Sequence, residues 1–181
     1  MIAHQGRNIQ VLFFFDKSYP TRLKHIDNPP RFLFCQGNIN FSMAKVISIV
    51  GTRKATTYGK DFVEKLVVGL NGYDDIVVIS GLAYGIDIHA HKICLRYGLP
   101  TVGVLTGGLN MIYPRVHKKT ALEILANGGL VSEVPVGNLL ETFQFPQRNR
   151  IIAGLSDATI VVEADCKSGA IITVNFANAY N

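Results

Sequence analysis

The chain has 181 residues, of which 48% are apolar and only 17% are charged. This length suits one domain of ordinary size with a buried core, so no disordered or fibrous class fits. The net charge is +5 and the pI is near 9.2, which favours an anionic partner without identifying one. Low charge combined with short apolar runs is typical of strands that are covered on both faces, as in a parallel sheet.

The three cysteines, Cys35, Cys94 and Cys166, are widely separated. Their number and spacing fit neither a disulfide framework nor a zinc motif, so a reducing cytoplasm is the default expectation. The aromatic run 13–15 is far too short to span a membrane, and no basic segment with a cleavage site precedes it. We therefore expect a cytoplasmic protein that is neither secreted nor anchored to a membrane.

The first part of the chain, residues 1–44, is less regular than the rest. Pro29-Pro30 rules out a continuous helix there. We expect a short helical or irregular arm, followed by one strand over 32–35 that docks on the main sheet. We expect this arm and docking strand to precede one main α/β domain over 45–181.

From residue 46 onward, short apolar runs alternate with segments of helical periodicity. This alternation predicts right-handed crossovers and a doubly wound, mostly parallel α/β sheet. Because the last helix has no cap and no strand after it, we expect the sequence to be C-terminally truncated. Strands are predicted over 46–50, 76–79, 101–105, 130–133 and 158–163. Helices are predicted up to residue 70, up to about residue 97, over about 116–126 and 147–155, and from residue 168 onward, with a loop or lid over 134–145.

The turn after the first predicted strand is a candidate anion site. The strand stops at Gly51, and the chain passes through Thr52 and Arg53 before it enters a helix. N–H groups at the start of a helix lack intrahelical acceptors and lie at the positive end of the dipole, so they can bind a phosphate. Arg53 would add a guanidinium group to the same place.

Glycine and small hydroxyl residues recur where predicted strands end, which is the edge at which open α/β sheets bind ligands. Phosphate oxygens can approach backbone amides closely where no Cβ intervenes. Tight turns that bind nothing are the alternative explanation. No Gly-x-Gly-x-x-Gly follows the first strand and no P-loop occurs, so ordinary dinucleotide and triphosphate chemistry is disfavoured. The four junctions are Gly51-Thr52-Arg53, Ser80-Gly81 with Gly85, Thr106-Gly107-Gly108 and Ser168-Gly169-Ala170.

Basic and aromatic residues are interleaved with these loops. Guanidinium groups suit phosphates, and aromatic rings could stack on the bases of a single strand. In the alternative, an arginine such as Arg150 pairs with a carboxylate such as Glu163 or Asp157 inside the fold, and the aromatic rings belong to the core. The basic set is Arg53, Lys54, Arg115, Lys118, Lys119, Arg148, Arg150 and Lys167, with Asn149 between two arginines, and the aromatic set is Tyr84, Tyr113, Phe143 and Phe145.

Other polar residues favour structural roles. Asp87, His89 and His91 fall on one predicted helix, where the two histidines point to different faces and no third metal ligand has a useful spacing. Glu133 and Glu163 each end a predicted strand and could be catalytic carboxylates, but nothing pairs them in the sequence.

Several motifs follow one another in a fixed order. They are 50–56 (VGTRKAT), 80–87 (SGLAYGID) with Ala90-His91, Tyr113-Pro114, Ser132-Glu133, 145–156 (FPQRNRIIAGLS), 162–164 (VEA) and 168–170 (SGA). Taken together and in this order, they closely resemble the DprA/Smf family of DNA-processing proteins, over about residue 19 to the end of the chain.

The resemblance implies an extended Rossmann-like domain that binds single-stranded DNA, protects it and helps to load the RecA recombinase during natural transformation. It also implies a homodimer, no cofactor, and neither a catalytic nor a metal site. The family's last strand and helix, which help to form the dimer, and the winged-helix module of some members would follow residue 181. The matching DNA-binding positions are Gly51, Thr52, Arg53, Ser80, Gly81, Arg148, Asn149, Arg150, Lys167, Ser168 and Gly169, and Lys54 joins them as a basic neighbour.

An enzyme on a related scaffold is the competing hypothesis. Nucleoside-monophosphate phosphoribohydrolases that resemble lysine decarboxylases carry a Pro-Gly-Gly-x-Gly-Thr loop and a catalytic glutamate shortly after it. The nearest stretch here, Thr106 to Asn110, lacks both the proline and the Gly-Thr pair. Binding of single-stranded DNA without turnover is therefore the favoured function, and a nucleotide sensor is a weaker third alternative.

Overall fold

The structure is a computed structural model, and it describes residues 8–39, 41 and 45–180. Within these ranges, strands and helices alternate along most of the chain. The strands are β1 Ile9–Phe13, β2 Phe32–Gly37, β3 Lys45–Gly51, β4 Ile76–Ser80, β5 Thr101–Val104, β6 Gly128–Ser132 and β7 Ala158–Val162. The helices are α1 Thr21–Lys24, α2 Thr57–Leu70, α3 Ile86–Tyr97, α4 Lys118–Ile124, α5 Gln144–Leu155 and α6 Gly169–Tyr180.

The seven described strands form one sheet in the order β1-β2-β6-β5-β4-β3-β7. Strands β3 to β7 are parallel, whereas β2 pairs antiparallel with β6 and β1 pairs antiparallel with β2. The chain moves outward from β3 to β6, and α5 then brings it back to β7 on the other side of β3. The predicted doubly wound, mostly parallel α/β sheet is confirmed, and its switch point lies between β3 and β7.

Helices cover both faces of the sheet. On one face, α2 and α3 bury Val63 and Ile93 against Ile49 of β3, and α4 packs beside them. On the other face, α1, α5 and α6 pack around Val50, with Ile151 of α5 fully buried there. Because successive residues of a strand face opposite sides, Ile49 and Val50 serve the two layers in turn.

The N-terminal segment is partly as predicted. The predicted docking strand is confirmed as β2, whose register pairs Phe34 with Ser132. The strand β1 is missing from the prediction, which places a helical or irregular arm there. The apolar run from Val11 to Phe15 hides the alternation of a strand, because only Ile9 and Leu12 are buried in β1.

Two other boundaries differ from the prediction. The helix predicted over 116–126 is a single 3₁₀ turn, Arg115–His117, followed by α4. Helix α5 begins at Gln144 and not at residue 147, since Pro146 lies in the first turn, where its missing N–H costs no intrahelical bond. None of the helices in the described ranges combines the length and apolar character that a membrane span requires.

Candidate nucleic-acid interface

A cavity of about 830 Å³ opens at the carboxyl ends of β3 and β7. Its walls come from the loop after β3, from the first half of α5 and from the segment that leads into α6. This is the switch point of the sheet, where open α/β folds bind their ligands. Of the predicted DNA-binding residues, the cavity is lined by Gly51, Thr52, Arg53, Lys54, Arg148, Asn149, Lys167, Ser168 and Gly169.

The loop after β3 is fixed by backbone hydrogen bonds to two neighbouring elements. The Thr52 N–H donates to Val162 O over 3.3 Å, and the Ile86 N–H donates to Thr52 O over 3.1 Å. A Cβ at Gly51 would overlap Val162 O, and a Cβ at Gly85 would overlap Thr52 O. These two glycines therefore allow close packing of the backbone beneath the loop.

Three exposed cations surround the cavity. Arg53 and Lys54 lie in the loop after β3, and Lys167 lies just before α6. Among the described residues, no carboxylate oxygen lies within 4.0 Å of their charged groups. Cations without a carboxylate partner remain available to an anionic ligand.

Arg148 is buried in the wall of the cavity, with 6% of its surface exposed. Its Nη1 donates to Gly81 O over 2.6 Å and to Val104 O over 2.5 Å. Burial lowers the pKa of Arg148 to about 10, although nearby Asp87 opposes the shift, so the side chain is still charged at neutral pH. Its buried Nε has no hydrogen-bond partner in the part of the chain that the structure describes.

Asp87 is the buried counter-charge of Arg148. Burial raises the pKa of Asp87, while the Arg148 charge and the Gly81 N–H lower it, and the Gly81 N–H donates to Oδ2 over 3.1 Å. His91 lies one helical turn away with its Nδ1 at 2.8 Å from Thr101 Oγ1. Burial lowers the pKa of His91 to about 3, which keeps the ring neutral. Both contacts agree with the structural roles predicted for these residues.

The start of α6 forms the opposite wall. The Ser168 N–H donates to Asp165 O over 2.8 Å, and Asn149 Nδ2 donates to Gly169 O over 3.1 Å. The Ser168 Oγ is buried and has no partner among the described residues. The first N–H groups of a helix lack intrahelical acceptors and carry partial positive charge, so this wall can accept a phosphate oxygen.

The start of α2, the first predicted anion site, already holds a carboxylate of the protein. The Thr56 Oγ1 donates a short hydrogen bond to Glu163 Oε1, and the Thr56 N–H donates to Oε2 over 3.0 Å. These bonds lower the pKa of Glu163. The Thr56 N–H is therefore already bound to a carboxylate that follows β7, whereas Gly51, Thr52 and Arg53 of the predicted anion site line the cavity. The sequence suggests two other roles for Glu163, a catalytic carboxylate or a partner of Arg150, and neither includes this contact with Thr56.

Three of the predicted binding residues do not line the cavity. Ser80 is fully buried and its Oγ donates to Ile49 O over 2.6 Å. Gly81 lies behind Arg148, and a Cβ there would overlap the guanidinium group. Arg150 is 7% exposed and pairs with Glu133, with Nη2 and Oε2 2.5 Å apart.

The alternative of a structural arginine thus fits Arg150, but with a different partner. The carboxylates suggested for it, Glu163 and Asp157, bind Thr56 and Arg22 instead. Glu133 follows the last residue of β6, and Arg150 of α5 reaches it there. The sequence does not disclose which strand ends lie beneath α5.

The aromatic candidates separate into two groups. Tyr113 and Phe145 line the cavity and meet edge to face, with ring centroids 5.6 Å apart. Tyr84 contacts His117 instead, and Phe143 is exposed outside the cavity. The exposed Tyr113 ring offers a flat apolar surface at the mouth of a basic site.

These features define a class: a Rossmann-like α/β protein with a basic cavity at the switch point of its sheet. The sequence model of the DNA recombination-mediator protein A family matches residues 10–181, and the chain belongs to that family. The resemblance to DprA/Smf proteins is confirmed.

Curated relatives and solved structures agree with this assignment. Protein Smf of Synechocystis sp. is 42% identical, over 98% of this chain and 46% of the relative. DNA processing protein DprA of Bacillus subtilis is 39% identical, over 96% of this chain and 58% of the relative. The chain thus spans about half the length of these relatives.

Two solved structures share the fold. DprA from Streptococcus pneumoniae superposes with a TM-score of 0.89 at 37% identity, over 96% of this chain and 60% of that chain. DNA processing protein A from Helicobacter pylori, whose structure concerns its binding of single-stranded DNA, superposes with a TM-score of 0.86 at 30% identity, over 97% and 78%.

Proposed function

We propose that this chain binds single-stranded DNA in the cavity between the loop after β3 and the start of α6. One observation carries the proposal. Within the part of the chain that the structure describes, the exposed cations Arg53, Lys54 and Lys167 have no carboxylate partner, and they surround the cavity. Arg148 Nε and Ser168 Oγ are buried beside the same cavity and have no acceptor among these described residues. Phosphate oxygens would accept from both groups, and phosphate contacts supply most of the affinity of such proteins.

A polymer fits this site better than a dinucleotide. The cations lie on both sides of the cavity, as a chain of successive phosphates requires. In Rossmann folds that bind dinucleotides, the pyrophosphate lies at the helix after the first parallel strand, and here Glu163 takes that place at α2. The exposed Tyr113 ring can stack on any base.

For the protein to which the chain belongs, we propose a DNA-processing role in natural transformation. In this role the protein protects incoming single-stranded DNA and assists the loading of RecA, and it acts as a homodimer. Membership of the DNA recombination-mediator protein A family supports this role, as do relatives that carry the name DNA processing protein DprA. We propose binding without turnover, so that no residue is assigned a catalytic role.

The competing phosphoribohydrolase hypothesis gains no support from the cavity. Thr106, Gly107 and Gly108 are buried outside it, and Gly107 O accepts a hydrogen bond from Ser132 Oγ over 2.8 Å. Glu133, which follows the neighbouring strand β6, is held by Arg150. Neither group faces the space in which a nucleotide would bind.

A gel-shift series tests the proposal. We expect the chain to shift labelled oligo(dT), to prefer it over duplex of the same length, and to lose affinity as salt rises. Arg53→Ala should weaken binding about tenfold for every sequence alike, since a charge-assisted hydrogen bond contributes about 1.5 kcal/mol or more. Arg31→Ala is the matched control, because Arg31 is exposed and does not line the cavity. Hydrolysis of a nucleoside monophosphate without any oligonucleotide shift would favour the enzyme instead.

A further inference from the structure

We infer that Glu163 is a positioning residue for the DNA contact of Arg53, an inference that rests on the proposed function. Glu163 follows the last residue of β7 and does not itself line the cavity. Its carboxylate accepts two hydrogen bonds from Thr56, one from the hydroxyl and one from the N–H. Thr56 is the N-cap of α2 and closes the loop that carries Arg53.

The loop is clamped at both ends by the end of β7. At its beginning, Val162 O accepts from the Thr52 N–H, and at its end Glu163 holds Thr56. Arg53, Lys54 and Ala55 lie between the two clamps. A loop this short has little freedom when both ends are fixed, so the clamps determine where the Arg53 side chain leaves the backbone.

The backbone of Glu163 shows that the contact is maintained against a local cost. Its φ is +53°, in the left-handed region that a residue with a Cβ rarely adopts. The opposing position in α2 is Gly59, where a Cβ would overlap the Glu163 carboxylate. Two unusual local features therefore converge on one contact between β7 and α2.

The positioning role and simple electrostatics predict opposite changes in DNA affinity when the Glu163 carboxylate is removed. Removing a negative charge near a DNA site should tighten binding, whereas releasing the Arg53 loop should weaken it. We expect Glu163→Ala to lower oligo(dT) affinity about tenfold and to reduce the salt slope by about 0.7, the share of one phosphate contact on a single strand. Arg53→Ala should do the same, and the double variant should be no weaker than Arg53→Ala alone.

Three controls separate the loss of the Glu163 contact from the loss of a negative charge and from misfolding. Glu123→Ala removes the same charge from a glutamate that pairs with Lys119 outside the cavity, and its affinity should stay within twofold of the unaltered chain. Circular dichroism checks that each variant folds. If Glu163→Ala does not fold, Glu163→Gln replaces it, and a smaller loss in the same direction is expected because the amide oxygen keeps one bond from Thr56.

Amide NMR of the free protein separates this inference from the proposed function. The resonances of Arg53, Lys54 and Ala55 should move in Glu163→Ala and stay in place in Glu123→Ala. Unmoved resonances, unchanged or tighter DNA binding, or additive losses in the double variant would overturn the role of Glu163 while the proposed function stands. If the resonances move but the unaltered chain binds no oligonucleotide, the proposed function fails, and the DNA role of Glu163 fails with it.

Discussion

Arg148 is the residue on which the wall of the cavity depends. It is buried, charged and bonded to the carbonyl oxygens of Gly81 and Val104, so it ties α5 to the ends of β4 and β5. A buried guanidinium of this kind is tolerated because carbonyl oxygens and the Asp87 charge replace its hydration. The glycine at position 81 is required for that approach and not for direct contact with a ligand.

Substitution of Gly81 tests this interpretation. In Gly81→Ala the new Cβ would overlap the Arg148 guanidinium, so the arginine must shift and the free energy of unfolding should fall by about 1–3 kcal/mol. Oligo(dT) affinity should fall as well. Gly69→Ala is the matched control, since Gly69 lies within α2 with no neighbouring atom within 4 Å of the new Cβ, and it should stabilise by about 0.5–1 kcal/mol. Urea unfolding measures both, and equal stability of the two variants would contradict the role given to Gly81.

His91 gives the fold a dependence on pH. Its pKa is about 3 in the folded chain because of burial, against an ordinary value of 6.5. Below pH 6.5 His91 binds a proton in the unfolded chain but not in the folded chain. This difference should lower the free energy of unfolding by up to about 1.4 kcal/mol for each unit by which the pH falls. Urea unfolding of the unaltered chain and of His91→Gln should therefore differ in slope between pH 6.5 and pH 4. Identical slopes would show that His91 is protonated in the folded protein.

At the scale of elements, α5 presents neighbouring polar residues to different parts of the fold. Arg148 and Asn149 line the cavity, whereas Arg150 pairs with Glu133 on another side of the helix. Residues two positions apart on a helix point in nearly opposite directions, so periodicity alone could have shown that both arginines cannot serve one ligand. Which of the two faces the cavity depends on how α5 lies on the sheet, and no local pattern reports that.

Arg150→Ala should separate stability from binding. It leaves the Glu133 carboxylate partly buried without its partner, and the free energy of unfolding should fall by about 3 kcal/mol. Oligo(dT) affinity of the folded protein should stay within twofold, because Arg150 does not line the cavity. Arg150→Met combined with Glu133→Gln removes both charges and should recover part of the stability. A tenfold loss of affinity in a folded Arg150→Met, Glu133→Gln protein would place Arg150 in the binding site after all.

The junctions between strands and helices show what the sequence can and cannot predict. The four glycine-containing junctions predicted from the sequence all follow strands, and the periodicity of the chain correctly predicts the five parallel strands. The junctions at Gly51 and Ser168 meet at the cavity because β3 and β7 are neighbours in the sheet. The junction after β4 contributes Ala83 but neither Ser80 nor Gly81. Strand order depends on tertiary packing, and so the contact between Glu163 and Thr56 is also invisible in a sequence that separates the two residues by 107 positions.

At the scale of the whole molecule, the net charge of +5 is less informative than its distribution. Arg22, Arg96, Lys119 and Arg150 each have a carboxylate partner within 4.0 Å. The exposed cations of the cavity do not have one within the described ranges. If these three side chains each neutralise one phosphate, the logarithm of the binding constant should fall with the logarithm of salt concentration with a slope of about −2 or steeper.

An amide NMR titration with oligo(dT) is the most direct test of the claim that the cavity between β3 and β7 holds a DNA strand. We expect the resonances of Arg53, Gly169 and Ala170 to shift together, to saturate at one oligonucleotide concentration and to respond far less to duplex of the same length. Binding of oligo(dT) with these resonances unmoved, and with shifts confined to surfaces outside the cavity, would contradict it.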